Sequence, residues 1–312
     1  MSVSPLNVSI VPPGQLVYGM QLPVQAQSTY FAEPWEAGAG PAELAQATRA
    51  CDEAGFFYVA VCDHVAIPRD YAKRMSTVWY DTIATLAWLA AQTTRVRLLS
   101  HVYVLAYRHP LVAAKAFATL DALSGGRVIC GVGAGHVEPE FEELGVPFEG
   151  RGALLDEALV LFESALRSEY PPEAKNDVGV APRPVQQPRP PIWIGGSSPA
   201  AVRRAARYDG WLPQGTPRAE LPALISLLRE TRTNPDPCDI GTITEWIHVG
   251  EPIWDLGRPC LTGSPEQLAE SLREYAAMGV GHLQVRFPSR SAAELCDQIA
   301  SFGEQVGPLL GS

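Results

Sequence analysis

Four short stretches carry residues able to move protons or hold an anion: Asp63-His64, Ser100-His101, Gly131-Val-Gly-Ala-Gly-His136 and Gly195-Gly196-Ser197-Ser198. Imidazole titrates near neutral pH, so His64 beside Asp63 reads as a proton donor or acceptor whose tautomer the carboxylate can set. The other reading is a structural histidine hydrogen-bonded beneath a strand end. Gly131-x-Gly133-x-Gly135 departs from the G-x-G-x-x-G spacing of a dinucleotide-binding turn, and no acidic residue follows at the usual distance. Glycine there admits either a flat ligand close to the backbone or a bulge and tight strand end. Gly195 to Ser198 precede Pro199, a residue favoured in the first helical turn. Free amides and two hydroxyls at that point make an anion site, or Ser198 caps the helix and nothing more. Arg203 and Arg204 follow one turn later. His64, His101 and His136 also raise a three-histidine metal site, although neither H-x-H nor H-E-x-x-H spacing is present. His109, before Pro110, reads as structural, and His248 and His282 give no signal.

The elements that must position these residues alternate between strand and helix. Strands are expected at Val17–Leu22, Phe56–Cys62, Val96–Leu105, Val128–Val132, Pro191–Ile194, Gly210–Leu212, Ile243–Val249 and His282–Phe287. Helices are expected at Pro41–Ala54, Tyr80–Gln92, Leu111–Leu123, Gly152–Arg167, Pro199–Arg207, Arg218–Glu230, Pro265–Met278 and Ala292–Val306. Eight such units in a chain of 312 residues predict one α/β domain, a closed (β/α)8 barrel of parallel strands with insertions in its strand-to-helix loops. Glu169–Pro191 reads as an irregular excursion rather than a second domain. A barrel of this kind gathers its chemistry at the C-terminal strand ends, where the four stretches fall. Specificity then lives in the loops Gln25–Gly40, Arg69–Val78, Glu138–Gly150 and Glu169–Arg189. Trp88 and Trp193 read as core, and Trp35 as a substrate wall or a loop anchor.

Composition narrows the class. With 46% hydrophobic and 19% charged residues the chain is globular. A net charge of −10 argues against a broad nucleic-acid or anionic-membrane surface but leaves room for a local basic pocket. Cys51, Cys62, Cys130, Cys238, Cys260 and Cys296 contain no C-x-x-C pair, so neither a zinc knuckle nor a disulfide framework is indicated, and no metal is expected. Cys62 and Cys130 read as small buried hydrophobes, usage that suits a reducing cytosol. Met1–Pro13 lacks the basic and apolar regions of a signal peptide, and no apolar run reaches 18 residues. A soluble cytoplasmic protein without membrane partners is expected.

Blocks in order along the chain resemble the luciferase-like monooxygenase superfamily. They are Cys62-Asp-His-Val-Ala-Ile-Pro68, Tyr107-Arg-His-Pro-Leu111, Ala118-Thr-Leu-Asp-Ala-Leu-Ser-Gly-Gly-Arg127, Gly131-Val-Gly-Ala-Gly135 and Glu140-Phe-Glu-Glu-Leu-Gly-Val146. Pro190-Pro-Ile-Trp-Ile-Gly-Gly-Ser-Ser198, Asp209-Gly-Trp211, Ser264-Pro-Glu-Gln267 and Tyr275-Ala-Ala-Met-Gly279 complete the set. The resemblance implies a TIM barrel, usually dimeric, that binds FMN or the deazaflavin coenzyme F420. The Asp63-His64-Val65 pattern and the Leu-Ser-Gly-Gly-Arg block look most like the deazaflavin branch. It further implies that Asp63 and His64 lie by the ring, with His64 the proton donor or acceptor. His101 and Val102 would sit at a bulge with a non-proline cis peptide supporting the ring. Ala134, Gly135 and His136 would line ring and tail, and Gly196, Ser197 and Ser198 would hold a phosphate. His101 stands where many relatives have Ser, and His136 where some carry a catalytic acid such as Glu, so His136 joins His64 as a candidate catalytic residue.

The expectation is therefore an oxidoreductase that moves a hydride between coenzyme F420 and a small organic substrate. The alternative is an FMN-dependent monooxygenase fed by a separate reductase. Two further classes stand beside these: a metal-dependent barrel hydrolase, and a cofactor-binding protein without turnover. A homodimer is expected, with the apolar face of Tyr80–Gln92 as its first candidate interface.

Overall fold

A computed structural model describes residues 9–311. The strands are β1 (Val17–Gln21), β2 (Tyr58–Val61), β3 (Arg97–Ser100), β4 (Tyr103–Val104), β5 (Val128–Gly133), β6 (Ile192–Gly195), β7 (Gly210–Leu212), β8 (Asp239–Ile243), β9 (Trp246–Val249), β10 (Cys260–Gly263) and β11 (His282–Val285). The main helices are α1 (Pro41–Glu53), α2 (Ala72–Met75), α3 (Thr82–Ala90), α4 (Pro110–Ser124), α5 (Glu138–Glu143), α6 (Arg151–Arg167), α7 (Pro199–Ala205), α8 (Leu221–Thr231), α9 (Pro265–Met278) and α10 (Ala292–Ser301). Parallel pairing runs β3-β2-β1-β11-β8-β7-β6-β5-β4, and β3 pairs with β5 to close the ring. β3 and β4 act as one broken stave, so the sheet is the eight-staved parallel TIM barrel that the alternation predicts. Helices follow the expected punctuation. In α9 the Ser264 hydroxyl accepts from the Gln267 amide and the Gln267 side chain accepts from the Ser264 amide, while Gly279 ends the helix at φ 101°.

The strand registers explain how the interior fills. Gly19 lies opposite Tyr58, Gly210 opposite Trp193, and Gly241 opposite His282. A Cβ at Gly19 would fall 2.4 Å from the Tyr58 ring, and one at Gly241 would fall 2.0 Å from His282. Each large interior ring thus occupies the space its neighbour leaves empty, and Trp193 stacks on His282 with ring centroids 4.2 Å apart. The residues at the start of the described chain close the barrel below. Ser9 donates its hydroxyl to Asp239 at 2.7 Å, the Ile10 and Val11 amides do so at 3.0 and 3.2 Å, and the Trp193 indole does so at 3.1 Å.

Two expectations need correction. The seventh barrel strand is Asp239–Ile243, whereas most of the expected Ile243–Val249 run is β9, paired with β10 in a separate two-stranded sheet. The sequence of β8 hides it, because Asp239 anchors Ser9 to Val11 and Gly241 makes room for His282. Trp88 is 42% exposed on α3 rather than core, while Trp193 and Trp211 are fully buried. The loop Glu138–Gly150 contains α5. Trp35 proves a loop anchor, its indole donating to Ser289 at 3.1 Å. Among the described residues no helix is long and apolar enough to cross a membrane.

Candidate active site

A cleft of about 1530 Å³ opens at the C-terminal ends of the strands. Every site residue singled out from the sequence lines it except Ser197. The cleft floor is shaped by the break in the third stave. The His101–Val102 peptide is cis, and β4 resumes at Tyr103 to pair with β5. The bulge presses on glycines: a Cβ at Gly131 would meet the Ser100 carbonyl at 1.9 Å, and one at Gly133 would meet a Val102 methyl at 2.5 Å. A Cβ at Gly195 would meet the other Val102 methyl at 2.6 Å. Of the two readings of the glycine run, the bulge is what the packing shows at Gly131 and Gly133; these glycines admit Val102, and Val102 faces the cleft.

Asp63 and His64 are adjacent in sequence but serve different partners. Asp63, buried, forms an ion pair with Arg108, accepts the Val104 amide at 2.7 Å and accepts the Thr82 hydroxyl at 3.1 Å. It ties the end of β2 to the resumed strand β4 and does not reach His64. The partner of His64 is Glu140 on α5, its Oε2 lying 2.9 Å from His64 Nδ1. Glu140 is wholly enclosed; burial would raise its carboxyl, but the His64 hydrogen bond and the Ala66 and Val65 amides hold it down at about 2. Tyr107 donates its hydroxyl to the same Oε2 at 2.8 Å. Trp79 packs edge-on against the His64 ring at 4.4 Å, and His136 packs at 5.4 Å from the exposed rim.

Deeper in the wall, His101 is buried and burial pushes its imidazole down to about 4. Its Nδ1 has no hydrogen-bond partner among the described residues, and Gln214 approaches its Nε2 at 3.5 Å. At the β6 end, Ser198 caps α7 by accepting the Ala201 amide at 3.2 Å. The Ser197 hydroxyl is committed to the Gln214 backbone and to Thr216. Arg204 pairs with Asp156 and reaches the Gly152 carbonyl, while Arg203 stays exposed. Lys73, Arg74 and Arg151 also line the cleft, a local basic lining on an acidic chain. His64, His101 and His136 do not assemble into a metal cluster, and among the described residues no group of three or more His, Cys, Asp or Glu side chains does.

Reasoning from the sequence missed Glu140, Tyr107, Arg108, Trp79 and Gln214. For three of them the available signal lay in the blocks Tyr107-Arg-His-Pro-Leu111 and Glu140-Phe-Glu-Glu-Leu-Gly-Val146, from which Tyr107 meets Glu140 and Arg108 meets Asp63.

A sequence model described as luciferase-like monooxygenase matches residues 19–245. The F420-dependent glucose-6-phosphate dehydrogenase of Intrasporangium calvum is 27% identical, over 86% of this chain and 96% of that protein. The coenzyme F420-dependent tetrahydromethanopterin reductase of Methanopyrus kandleri superposes with TM-score 0.72 at 18% identity, covering 95% of this chain and 99% of that one. The oxygenating constituent of 3,6-diketocamphane monooxygenase from Pseudomonas putida, in complex with FMN, superposes with TM-score 0.72 at 16% identity, covering 94% and 98%.

Proposed function

The chain belongs to the luciferase-like monooxygenase family, and from that premise we propose that it is a coenzyme F420-dependent oxidoreductase acting on a small organic substrate such as an alcohol, imine, enone or sugar phosphate. The observation that carries this reading is His64, backed by an ionised, enclosed Glu140 and opening on the cleft. Hydride transfer to or from a neutral substrate needs a group to take or give the accompanying proton, and His64 is built as one. The 27% identity to an F420-dependent relative, against 16% to the FMN-bound neighbour, is what favours the deazaflavin over FMN.

The residues present fit such a group. His101 Nδ1 is a buried polar atom without a partner among the described residues, at the wall of the cleft. Lys73, Arg74 and Arg151 suit a phosphate-bearing ligand. Val102, Ala134, Gly135 and His136 would line the ring and tail, and Gly196, Ser197 and Ser198 would hold the phosphate. The Ser197 hydroxyl already donates to the Gln214 carbonyl, whereas Ser198 only accepts from the Ala201 amide, so that hold would fall to the Ser198 O–H and the loop's backbone amides. When bound, the deazaflavin supplies hydride transfer at C5 without the oxygen reactivity of a flavin. His64 moves the substrate proton, His136 at the rim exchanges it with solvent, and Asp63 keeps β2 and β4 in place beneath them. We further propose a homodimer.

Fluorescence titration of the apo-protein with coenzyme F420 and, separately, with FMN tests the proposal. Tight binding of F420 alone is expected. Tight binding of FMN alone would refute it, and would direct the search to oxygen consumption and a partner reductase.

A further inference from the structure

The contacts of Glu140 fix more than the position of His64. Its Oε1 accepts the Val65 and Ala66 amides, the latter at 3.0 Å, and its Oε2 accepts the Tyr107 hydroxyl at 2.8 Å and faces His64 Nδ1 at 2.9 Å. An ionised carboxylate only accepts, and its two oxygens offer about four lone-pair sites. Two amides can do nothing but donate. Tyr107 keeps its proton, because burial and the adjoining Glu140 both raise its phenol. The remaining contact is therefore a donation from His64, which puts the proton of a neutral imidazole on Nδ1. The ring is also barred from turning over. Trp79 packs edge-on against it at 4.4 Å, and the indole is itself tethered to the Met75 and Ser76 carbonyls at 3.1 and 3.2 Å.

We infer that Glu140 is the positioning residue of this site: it locks neutral His64 as the Nδ1–H tautomer, so that Nε2 meets the substrate as a bare lone pair. In that neutral form the site can receive a proton at Nε2 rather than give one. A substrate O–H or N–H bond breaks, its electron pair stays on the heteroatom, and the proton forms the new bond to Nε2. The imidazolium produced lies against Glu140, and the Nδ1 proton stays on the ring, because the donors around that carboxylate hold its basicity down. This rests on the proposal that His64 handles the substrate proton. The tautomer itself is read without cofactor or substrate, so a wrong cofactor assignment would leave it standing.

The test is long-range 1H–15N correlation on the full chain labelled at its six histidines, at pH 8, with the His64 signals identified by their loss in His64→Asn. The expected spectrum shows a protonated Nδ1 and an unprotonated Nε2. In Glu140→Gln, whose amide can either accept or donate, a mixture of the two tautomers is expected. Turnover of the loaded enzyme should then fall, by no more than the roughly 10²–10⁴-fold that a positioned acid–base group contributes in full. A wild-type His64 protonated at Nε2 overturns the inference, and so does an Nδ1–H form that persists undiminished in Glu140→Gln. Should Glu140→Gln fail to fold, Tyr107→Phe serves instead: with one donor removed, Oε2 draws harder on His64, and the Nδ1 proton moves downfield. An unmoved resonance would then overturn the role of Glu140.

Discussion

Val102 and the glycines beneath it offer a sharp test of how the cleft floor is built. In Gly133→Ala the new Cβ would sit 2.5 Å from one Val102 methyl but 3.6 Å from the Val102 Cβ. The clash therefore belongs to the methyl alone, about 1 Å inside ordinary contact, and truncating Val102 leaves a normal one. Overpacking of this kind costs roughly 1–3 kcal/mol. Val102→Ala alone loses two methyl groups from a half-buried side chain, about 1 kcal/mol or less. If the two sites were independent, the double variant would lose the sum of these. Because the methyl is the obstacle, we expect it to recover about 1–2 kcal/mol, a coupling well outside the roughly 0.3–0.5 kcal/mol scatter of unconnected sites. Gly195→Ala should behave alike, since its Cβ would lie 2.6 Å from a Val102 methyl and 3.4 Å from the Val102 Cβ. Urea unfolding of the four proteins of each cycle, at unchanged m-value, measures the coupling. Additive losses, or a Gly133→Ala variant as stable as the wild type, would refute this account of the floor.

Three other outcomes follow from the same geometry. Asp63→Asn strands the Arg108 cation beneath the cleft and should cost about 3–5 kcal/mol in urea unfolding; a loss below 1 kcal/mol would remove Asp63 from its tying role. His101 and His282 titrate at about 4 and about 3 in the folded protein, because burial disfavours the cation, against an ordinary 6.5. Below pH 6.5 the unfolded chain binds protons that the folded one refuses, so stability falls as pH drops, by on the order of 2 kcal/mol per histidine at pH 5; equal urea midpoints at pH 7.5 and pH 5 would contradict this. Trp88, 42% exposed on α3, should anchor the proposed homodimer. Light scattering after gel filtration is expected to show a wild-type dimer and a Trp88→Asp monomer, and a monomeric wild type ends that proposal.

The barrel was readable in the sequence because parallel strands covered on both faces are nearly unbroken apolar runs, as Tyr58–Val61 is. The run at Asp239–Ile243 reads Asp-Ile-Gly-Thr-Ile, and it escapes notice because two of its residues serve distant neighbours. Asp239 binds Ser9 to Val11, and Gly241 yields its volume to His282. The glycine run at 131–135 announced a close approach but not what approaches, since Val102 arrives from another stave.

The candidate site shows the same limit more sharply. His64 could be named from its residue type and its place at a strand end. Its partner could not, because the neighbour in sequence and the neighbour in space differ. Asp63 pairs with Arg108 in the wall while His64 opens on the cleft, and the carboxylate that orients the imidazole comes from another loop. It comes from Glu140, on a six-residue helix whose run Glu-Pro-Glu-Phe-Glu-Glu looks like a solvated acidic face. Only Glu140 and Phe141 of that run are buried. Here, then, the group that orients the strand-end histidine sits on the loop of another stave, and the acid adjacent in sequence holds the wall.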